Sequence, residues 1–392
     1  MEWNTAKYDK EEDQYAIPNS WLFIYYYDAL NTLFRVENSL RVFVYSILKK
    51  EFQNEWSNIN ISTEDEDNTT INAIARKRKN QAKSFGYIGF DVNCPIMHLT
   101  SGELIRLITS DSYWKFFARY FKGSKDIIKY KLDEIGNIRN SLAHFRPIKI
   151  DDVELIKQNS NHVLLGIEDC LSEMLSTNNA VPTNSQEEWY LNLSTIGSEH
   201  CSIRLFQSNN EEWVRVQFYL KSEMLDEIGE HTKYHFMSCT NFITPAIISQ
   251  YPNLAKFIIY LAESIVYSRM DDDLIPKIHK QFYLLFNIET IEENHEEIKN
   301  EITNLVMDVE SETELIEQDN LAKGEIIEVG RFNVVERDDS WEFNTRSLEN
   351  IIDEEHPVEY WGVFGTYHRD FITKTERYPW MPSDISHMDL PF

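Results

Sequence analysis

Arg139, Asn140 and His144 fall within six positions in the segment EIGNIRNSLAHFRPI, residues 134–148. An Arg offers a permanently charged, planar donor fork suited to phosphoryl oxygens. A His is the side chain that exchanges a proton near neutral pH. In RNA the 2′-OH beside each phosphate is a built-in nucleophile. A His that accepts or relays its proton, with an Arg that stabilises the transition-state charge, suffices for cleavage without a metal and leaves a 2′,3′-cyclic phosphate and a 5′-OH. The same residues also suit a plain helix end, because the macrodipole favours Arg and His in a last turn and Pro147 would stop the helix.

Spacing sets a condition on the chemistry. Asn140 and His144 are i and i+4 and share a helix face. Arg139 and His144 are i and i+5, roughly 140° apart at ~100° per residue. One helix therefore presents the three groups poorly to a single substrate. The long Arg139 side chain could reach around, or a second copy of the helix across a two-fold axis could bring two sets face to face.

The elements around the segment read as helices. Apolar residues recur at helical spacing from Trp21 to about Phe52, without Gly or Pro, which predicts a long amphipathic helix. The acidic, polar stretch NINISTEDEDNTT predicts a loop, followed by a helix over about 70–84. SGELIRLITS predicts a helix over about 101–110 with Ser101 as its cap. DSYWKFFARYF predicts a fourth helix, residues 124–145 a fifth and Asp151 to Leu175 a sixth. Short connections between such helices favour an antiparallel bundle.

IRNSLAHFRP resembles the R-x4-6-H signature of the HEPN superfamily in its Arg-Asn, three residues, His form. The flanking series VENSLRVFV, INAIARKRKNQAKSFG, LTSGELIRLI and SYWKFFARYF extends the likeness over about residues 15–175. The resemblance implies an all-helical bundle that dimerises, with two R-x4-6-H motifs forming one composite site at the interface. It also implies a metal-independent ribonuclease of toxin–antitoxin, abortive-infection or other antiviral systems, needing no cofactor. Arg139, Asn140 and His144 are then the catalytic residues. Some members of the family only scaffold or bind nucleotides.

Supporting residues follow by position. Glu37 and Arg41 are i and i+4 on the first helix and could orient the motif, or form only a surface ion pair. Arg76, Lys77, Arg78 and Lys79, with Lys83, could attract an RNA backbone, as a solvated helix face would also look. Arg146 could add charge beside the motif.

A polar, turn-rich linker, STNNAVPTNSQ at residues 176–186, divides the chain into a domain over 1–175 and another over 187–392. Net charge is −27, yet up to residue 175 there are 22 Lys and Arg against 25 Asp and Glu, and beyond it 16 against 40. An RNA contact belongs with the nearly neutral first half. The acidic second half suits a sensor, regulator or partner-binding module, able to mimic nucleic acid or cover a basic surface. EWYLNLSTI, HCSIRLFQ and EEWVRVQFYL predict an antiparallel meander. NLAKFIIYLAESIVYSRM and DDLIPKIHKQFYLLF predict helices, and the acidic stretch 289–320 an exposed helix that could lie on a partner or on the bundle. GEIIEVGRFNVVER and SWEFNT predict strands, and residues 360–392 an irregular tail. The fold class expected is therefore α+β: a helical bundle followed by a mixed α/β domain.

Several other chemistries find no support. His231, His235 and Cys239 are i, i+4 and i+8, a spacing one helix could offer to zinc, but no fourth ligand follows, so no metal site is expected. There is no GxSxG, HExxH or Gly-rich phosphate loop. Asp271, Asp272 and Asp273 suit a helix N-terminus rather than a cation. The four cysteines lie far apart, as in reduced proteins. No apolar run reaches the length of a membrane span and the first residues are polar and acidic, so a cytoplasmic protein is expected. The partners expected are RNA, a second copy of the chain, and an antitoxin or a phage trigger protein. The rival expectation is a non-catalytic HEPN dimerisation or binding module whose second domain recognises a ligand or partner protein.

Overall fold

The computed structural model describes residues 9–11, 14–16, 24–61, 69–84, 94–144, 146–178, 183–221, 224–231, 234–268, 277–337, 340–343 and 356–363. It contains both helices and sheets, an α+β chain. Two compact units form, and the chain passes between them more than once. The first comprises Met1–Val44, Asn60–Thr69 and Leu99–Cys170, the second Tyr45–Ile59, Thr70–His98 and Leu171–Phe392. The sequence reading puts one cut at 176–186, whereas these units assign residues 45–59 and 70–98 to the later body.

The first unit begins with a two-stranded antiparallel ribbon, β1 (Asp9–Glu11) and β2 (Gln14–Ala16), so it is not wholly helical as expected. Strands of three residues are too short to leave a periodic signal. Helix α1 (Ile24–Phe52) follows; Val42 to Lys49 are buried without interruption, so this stretch is enclosed on all sides rather than amphipathic. Helix α2 (Ile71–Ser84) belongs to the second unit. Helix α3 (Ser101–Thr109) is capped by Thr100, not Ser101. The Thr100 hydroxyl accepts from the Glu103 amide at 3.3 Å while the Thr100 amide donates to Glu103 Oε2 at 2.7 Å, a reciprocal capping box. The expected fourth helix is reduced to α4 (Trp114–Phe117) and a 3-10 turn over Ala118–Tyr120. Burial of Tyr113, Phe117, Tyr120 and Phe121 outweighs regular helix there, and Phe43 meets three of these rings, Phe117, Tyr120 and Phe121, at 5.1–6.1 Å. Helices α5 (Lys125–Ala143) and α6 (Ile150–Leu175) complete this unit as far as Cys170. The Asn159 amide of α6 donates to Glu134 of α5 at 2.8 Å. Where α6 crosses the 3-10 turn, a Cβ on Gly166 would lie 2.1 Å from the Tyr120 carbonyl oxygen, so only glycine permits the approach.

The second unit is built on two sheets. Helix α7 (Glu188–Leu193) stands where EWYLNLSTI predicts a strand. Its Trp189 and Leu193 are i and i+4 and both buried, so a single helical face explains the apolar residues that also read as alternation. The strands are β3 (Cys201–Gln207), β4 (Trp213–Lys221), β5 (Met224–His231) and β6 (Tyr234–Phe242). Short helices α8 (Ala246–Gln250) and α9 (Pro252–Ala255) precede β7 (Tyr260–Ser268) and β8 (Lys277–Asn287). Both strands occupy segments expected to be helical. They lie at the middle of a sheet; residues 260–263 and 280–287 are buried on both faces, and so FIIYLA and QFYLLF read as continuous apolar runs without a period of two. Helix α10 (Ile288–Glu317) is followed by β9 (Ile327–Arg337), β10 (Ser340–Phe343) and β11 (Tyr360–Val363). The last of these replaces the first residues of the expected irregular tail.

One sheet runs β11-β7-β8-β4-β3, antiparallel except for the parallel pair β11 and β7; the other runs β10-β9-β6-β5, all antiparallel. Val214, Val216, Phe218 and Leu220 share a core with Phe282, Leu284 and Phe286 and with Ile298, Ile302, Leu305 and Val309 of α10. The acidic helix is thus not only an exposed element, because its apolar stripe fills the core, and carboxylates such as Glu310 and Glu312 bind His200 and the Ile326 and Ile327 amides. The opposite face of the sheet meets the end of α1: the Tyr45 hydroxyl donates to the Ile259 carbonyl at 2.8 Å, and Lys49 pairs with Glu359 at 2.6 Å. Inside the unit a buried ion pair joins Glu263 and Lys280 at 3.0 Å. The Thr244 and Tyr360 hydroxyls donate to the same carboxylate.

Cys94, Cys170, Cys201 and Cys239 are all free thiols and all buried. Burial pushes the Cys201 thiol up to about 12, aided by Glu310, and the Cys239 thiol up to about 11. No helix among the described residues is long and apolar enough to cross a membrane.

Candidate active site

Helix α5 delivers the three motif residues, and its end decides how they stand. Regular helix runs to Ala143. His144 is the C-cap residue, with φ −100° and ψ 16°, and its amide donates to the Asn140 carbonyl at 3.1 Å. The Arg146 amide closes the turn onto the Ser141 carbonyl at 2.8 Å. The chain therefore leaves the helix directly after His144, before Pro147, and the imidazole is exposed with no hydrogen-bond partner among the described residues. A free imidazole at a helix end can take or give a proton to a bound molecule.

Arg139 points a different way. Its Nε lies 3.3 Å from Glu37 Oε2 on α1, and one terminal nitrogen lies 3.4 Å from Asn140 Oδ1. The guanidinium is about one-third exposed, so one edge is held by protein and the rest faces solvent. This is the arrangement in which a cation keeps a fixed place yet retains donors for an anionic ligand.

Glu37 is the hub of the site. Its Oε1 receives Arg41 of the same helix in a very short contact, and its Oε2 accepts from the Ser101 hydroxyl at 2.9 Å as well as from Arg139. Arg41 also donates to the Leu99 carbonyl at 3.1 Å and to Asn38 Oδ1 at 3.1 Å. One carboxylate so joins α1, the N-terminus of α3 and the C-terminal part of α5. Capping by Thr100 leaves the Ser101 hydroxyl available to Glu37. Ser101 therefore belongs to this network, which sequence reading misses. The signal was present in the order TSGE at residues 100–103, which places Glu103 three positions after Thr100 rather than after Ser101.

The first unit thus brings together Glu37, Arg41, Arg139 and Asn140, with His144 one turn further along α5. It does not bring His144 into contact with Arg139 within one chain. Arg146 is exposed beside His144. Arg76, Lys77, Arg78 and Lys79 lie on α2 in the second unit. Arg78 is half-buried and donates to the His98 carbonyl, so it acts as a brace, while Arg76 and Lys77 are exposed. The single carboxylate in the Arg139 network already serves two cations, so binding a metal ion there would require displacing them. His231, His235 and Cys239 lie on the strands β5 and β6, not on a helix. At a rise of ~3.3 Å per residue, His235 and Cys239 are roughly 13 Å apart along β6, which removes the expected ligand spacing. Asp271, Asp272 and Asp273 lie outside the described residues.

No family model matches the chain, and no curated protein or solved structure is significantly similar to it.

Proposed function

We propose that the chain is a metal-independent endoribonuclease of the HEPN type, with Arg139, Asn140 and His144 as half of a site that a second copy completes. The observation that carries this reading is the Glu37–Arg139 contact at 3.3 Å, with an exposed His144 imidazole, unpartnered among the described residues, one turn further along α5. A helix end that carried these residues only for its own stability would not need a cross-helix carboxylate to fix the guanidinium.

In the proposed reaction an RNA 2′-oxygen attacks the adjacent phosphorus and the 5′-oxygen departs. His144 moves the proton, Arg139 stabilises the charge gathering on the phosphoryl oxygens, and Asn140 orients the Arg139 fork. Because Arg139 and His144 do not meet within one chain, the partner's motif supplies the missing member across a two-fold axis. Exposed Arg76 and Lys77 of α2 add sequence-independent attraction for the phosphate chain. The chain acts in the cytoplasm as a toxin or abortive-infection effector. The acidic second unit regulates it in response to an antitoxin or phage trigger protein. RNA cleavage in EDTA by the wild type, abolished by His144→Ala, is the expected result. Full cleavage by that variant would overturn the reading.

A second reading, a dimerisation or binding module without catalysis, draws on Leu30 and Phe34 of α1 and Ile127 and Tyr130 of α5. These are large apolar side chains left 36–66% exposed. It predicts self-association with no RNA cleavage in either protein.

A further inference from the structure

Helix α7 presents a polar edge to the first half of α10. Trp189 and Leu193 anchor it in the core, which leaves Glu188 and Asn192, also i and i+4, turned toward α10. Asn192 donates to Glu296 Oε1 at 3.3 Å and accepts from Lys299 at 3.0 Å. At the other end of this edge the Glu188 carboxylate, the His295 imidazole and the Glu296 carboxylate converge, one ligand atom of each within 4.8 Å of the others.

The tautomer of His295 gives the cluster its meaning. Nδ1 lies 3.1 Å from the Glu292 carbonyl oxygen, which can only accept, so Nδ1 carries the proton. In the neutral ring the lone pair is then on Nε2. That nitrogen lies 3.8 Å from Glu188 Oε1 and 3.8 Å from Glu296 Oε1, too far for a hydrogen bond to either. Two anions and a lone pair thus face a common point. A backbone carbonyl holding the distal nitrogen is also the usual support of a metal-bound imidazole. Consecutive residues on a regular helix diverge by ~100°. His295 and Glu296 nevertheless converge, because α10 kinks at Asn294 (φ −128°, ψ 20°), whose side chain donates to the Thr290 carbonyl at 2.9 Å.

We propose that Glu188, His295 and Glu296 bind a divalent first-row transition ion of the zinc class and so clamp α7 onto α10. One imidazole and two carboxylates suit zinc better than magnesium or calcium, which take oxygen ligands alone. Ligand bonds of about 2.0–2.2 Å in a tetrahedron require ligand atoms a little over 3 Å apart. Each carboxylate oxygen must therefore close on Nε2 by about half an ångström, and the two carboxylates on one another from within 4.8 Å; the Glu188 and Glu296 side chains are exposed enough, at 77% and 63%, to move so. Water fills the fourth position. The many carboxylates of α10 raise the local cation concentration. This site is independent of the ribonuclease reading, whose catalytic residues Arg139, Asn140 and His144 lie in the other unit.

The test uses the full chain, dialysed against chelator and titrated with zinc sulfate in a calorimeter, with cobalt(II) as the spectroscopic stand-in. One equivalent should bind, with visible cobalt bands of low-symmetry coordination and a raised melting temperature. His295→Ala and Glu188→Gln should each weaken binding by about tenfold or more. Both should melt like wild type when no metal is added; Glu188 is exposed, so its variant keeps the fold. Wild-type binding no tighter than that of both variants, or cobalt spectra unchanged by them, would overturn the proposal.

Discussion

Arg139 is held not by its own helix but by Glu37, 102 residues earlier in the chain, with Nε 3.3 Å from Oε2. The same carboxylate holds Arg41 and Ser101. Glu37 is therefore a positioning residue for the proposed chemistry. Glu37→Gln keeps the size and loses the charge. We expect kcat for RNA cleavage to fall roughly tenfold, about 1.4 kcal/mol in the barrier, with KM changed less. An equal fall for Glu37→Gln and Arg41→Gln, with parallel losses of melting temperature, would mean the network only supports the fold.

Ser101 and Thr100 are adjacent but serve different ends. Thr100→Ala removes the cap of α3 and should cost about 1 kcal/mol in a urea melt. Ser101→Ala leaves the capping box intact and should alter stability by less, while reducing cleavage through Glu37. The reverse ranking in the two assays would return Ser101 to the role of cap.

Gly166→Ala sets two effects against each other. Alanine favours a helix interior by about 1 kcal/mol over glycine. Against that stands a Cβ 2.1 Å from the Tyr120 carbonyl, a backbone atom that cannot swing aside. Overpacking of this kind costs about 1–3 kcal/mol, so the variant should melt lower than wild type. A higher melting temperature would show that α6 and the 3-10 turn separate easily.

The Glu263–Lys280 pair predicts a pH signature. Burial pushes the Glu263 carboxyl up, but Lys280 and the hydrogen bonds from Thr244, Lys280 and Tyr360 outweigh it, and the net shift is below the usual carboxylate range. A depressed folded value contributes stability that is fully present above the unfolded carboxylate pKa and lost as pH falls through the folded value. Glu263→Gln leaves Lys280 buried without its anion and should cost about 3–5 kcal/mol at neutral pH. Urea melts over a pH series should show that gap closing in acid; a gap independent of pH would assign the loss to packing alone.

Several of the legible elements share one physical property, a single buried face. Helices α5 and α6 bury a stripe and expose the rest, so their period is visible. Residues 260–263 of β7 and 280–287 of β8 are enclosed on both faces, and FIIYLA and QFYLLF carry no period to read. Helix α7 is too short for its i, i+4 pair to stand apart from alternation. At the candidate site the motif itself was legible because it is local. The Glu37–Arg139 contact was not, since only packing of α1 against the end of α5 creates it. His295 stayed hidden because the kink that aims it rests on a side chain, Asn294, with no special sequence signature.

The enclosed thiols make the chain its own unfolding reporter. Cys170 lies in the first unit, and Cys94, Cys201 and Cys239 in the second. A thiol buried in apolar surroundings reacts only when its neighbourhood opens. Timed alkylation followed by peptide mapping would thus rank the openings of the two units separately, in the unmodified protein and without any introduced probe.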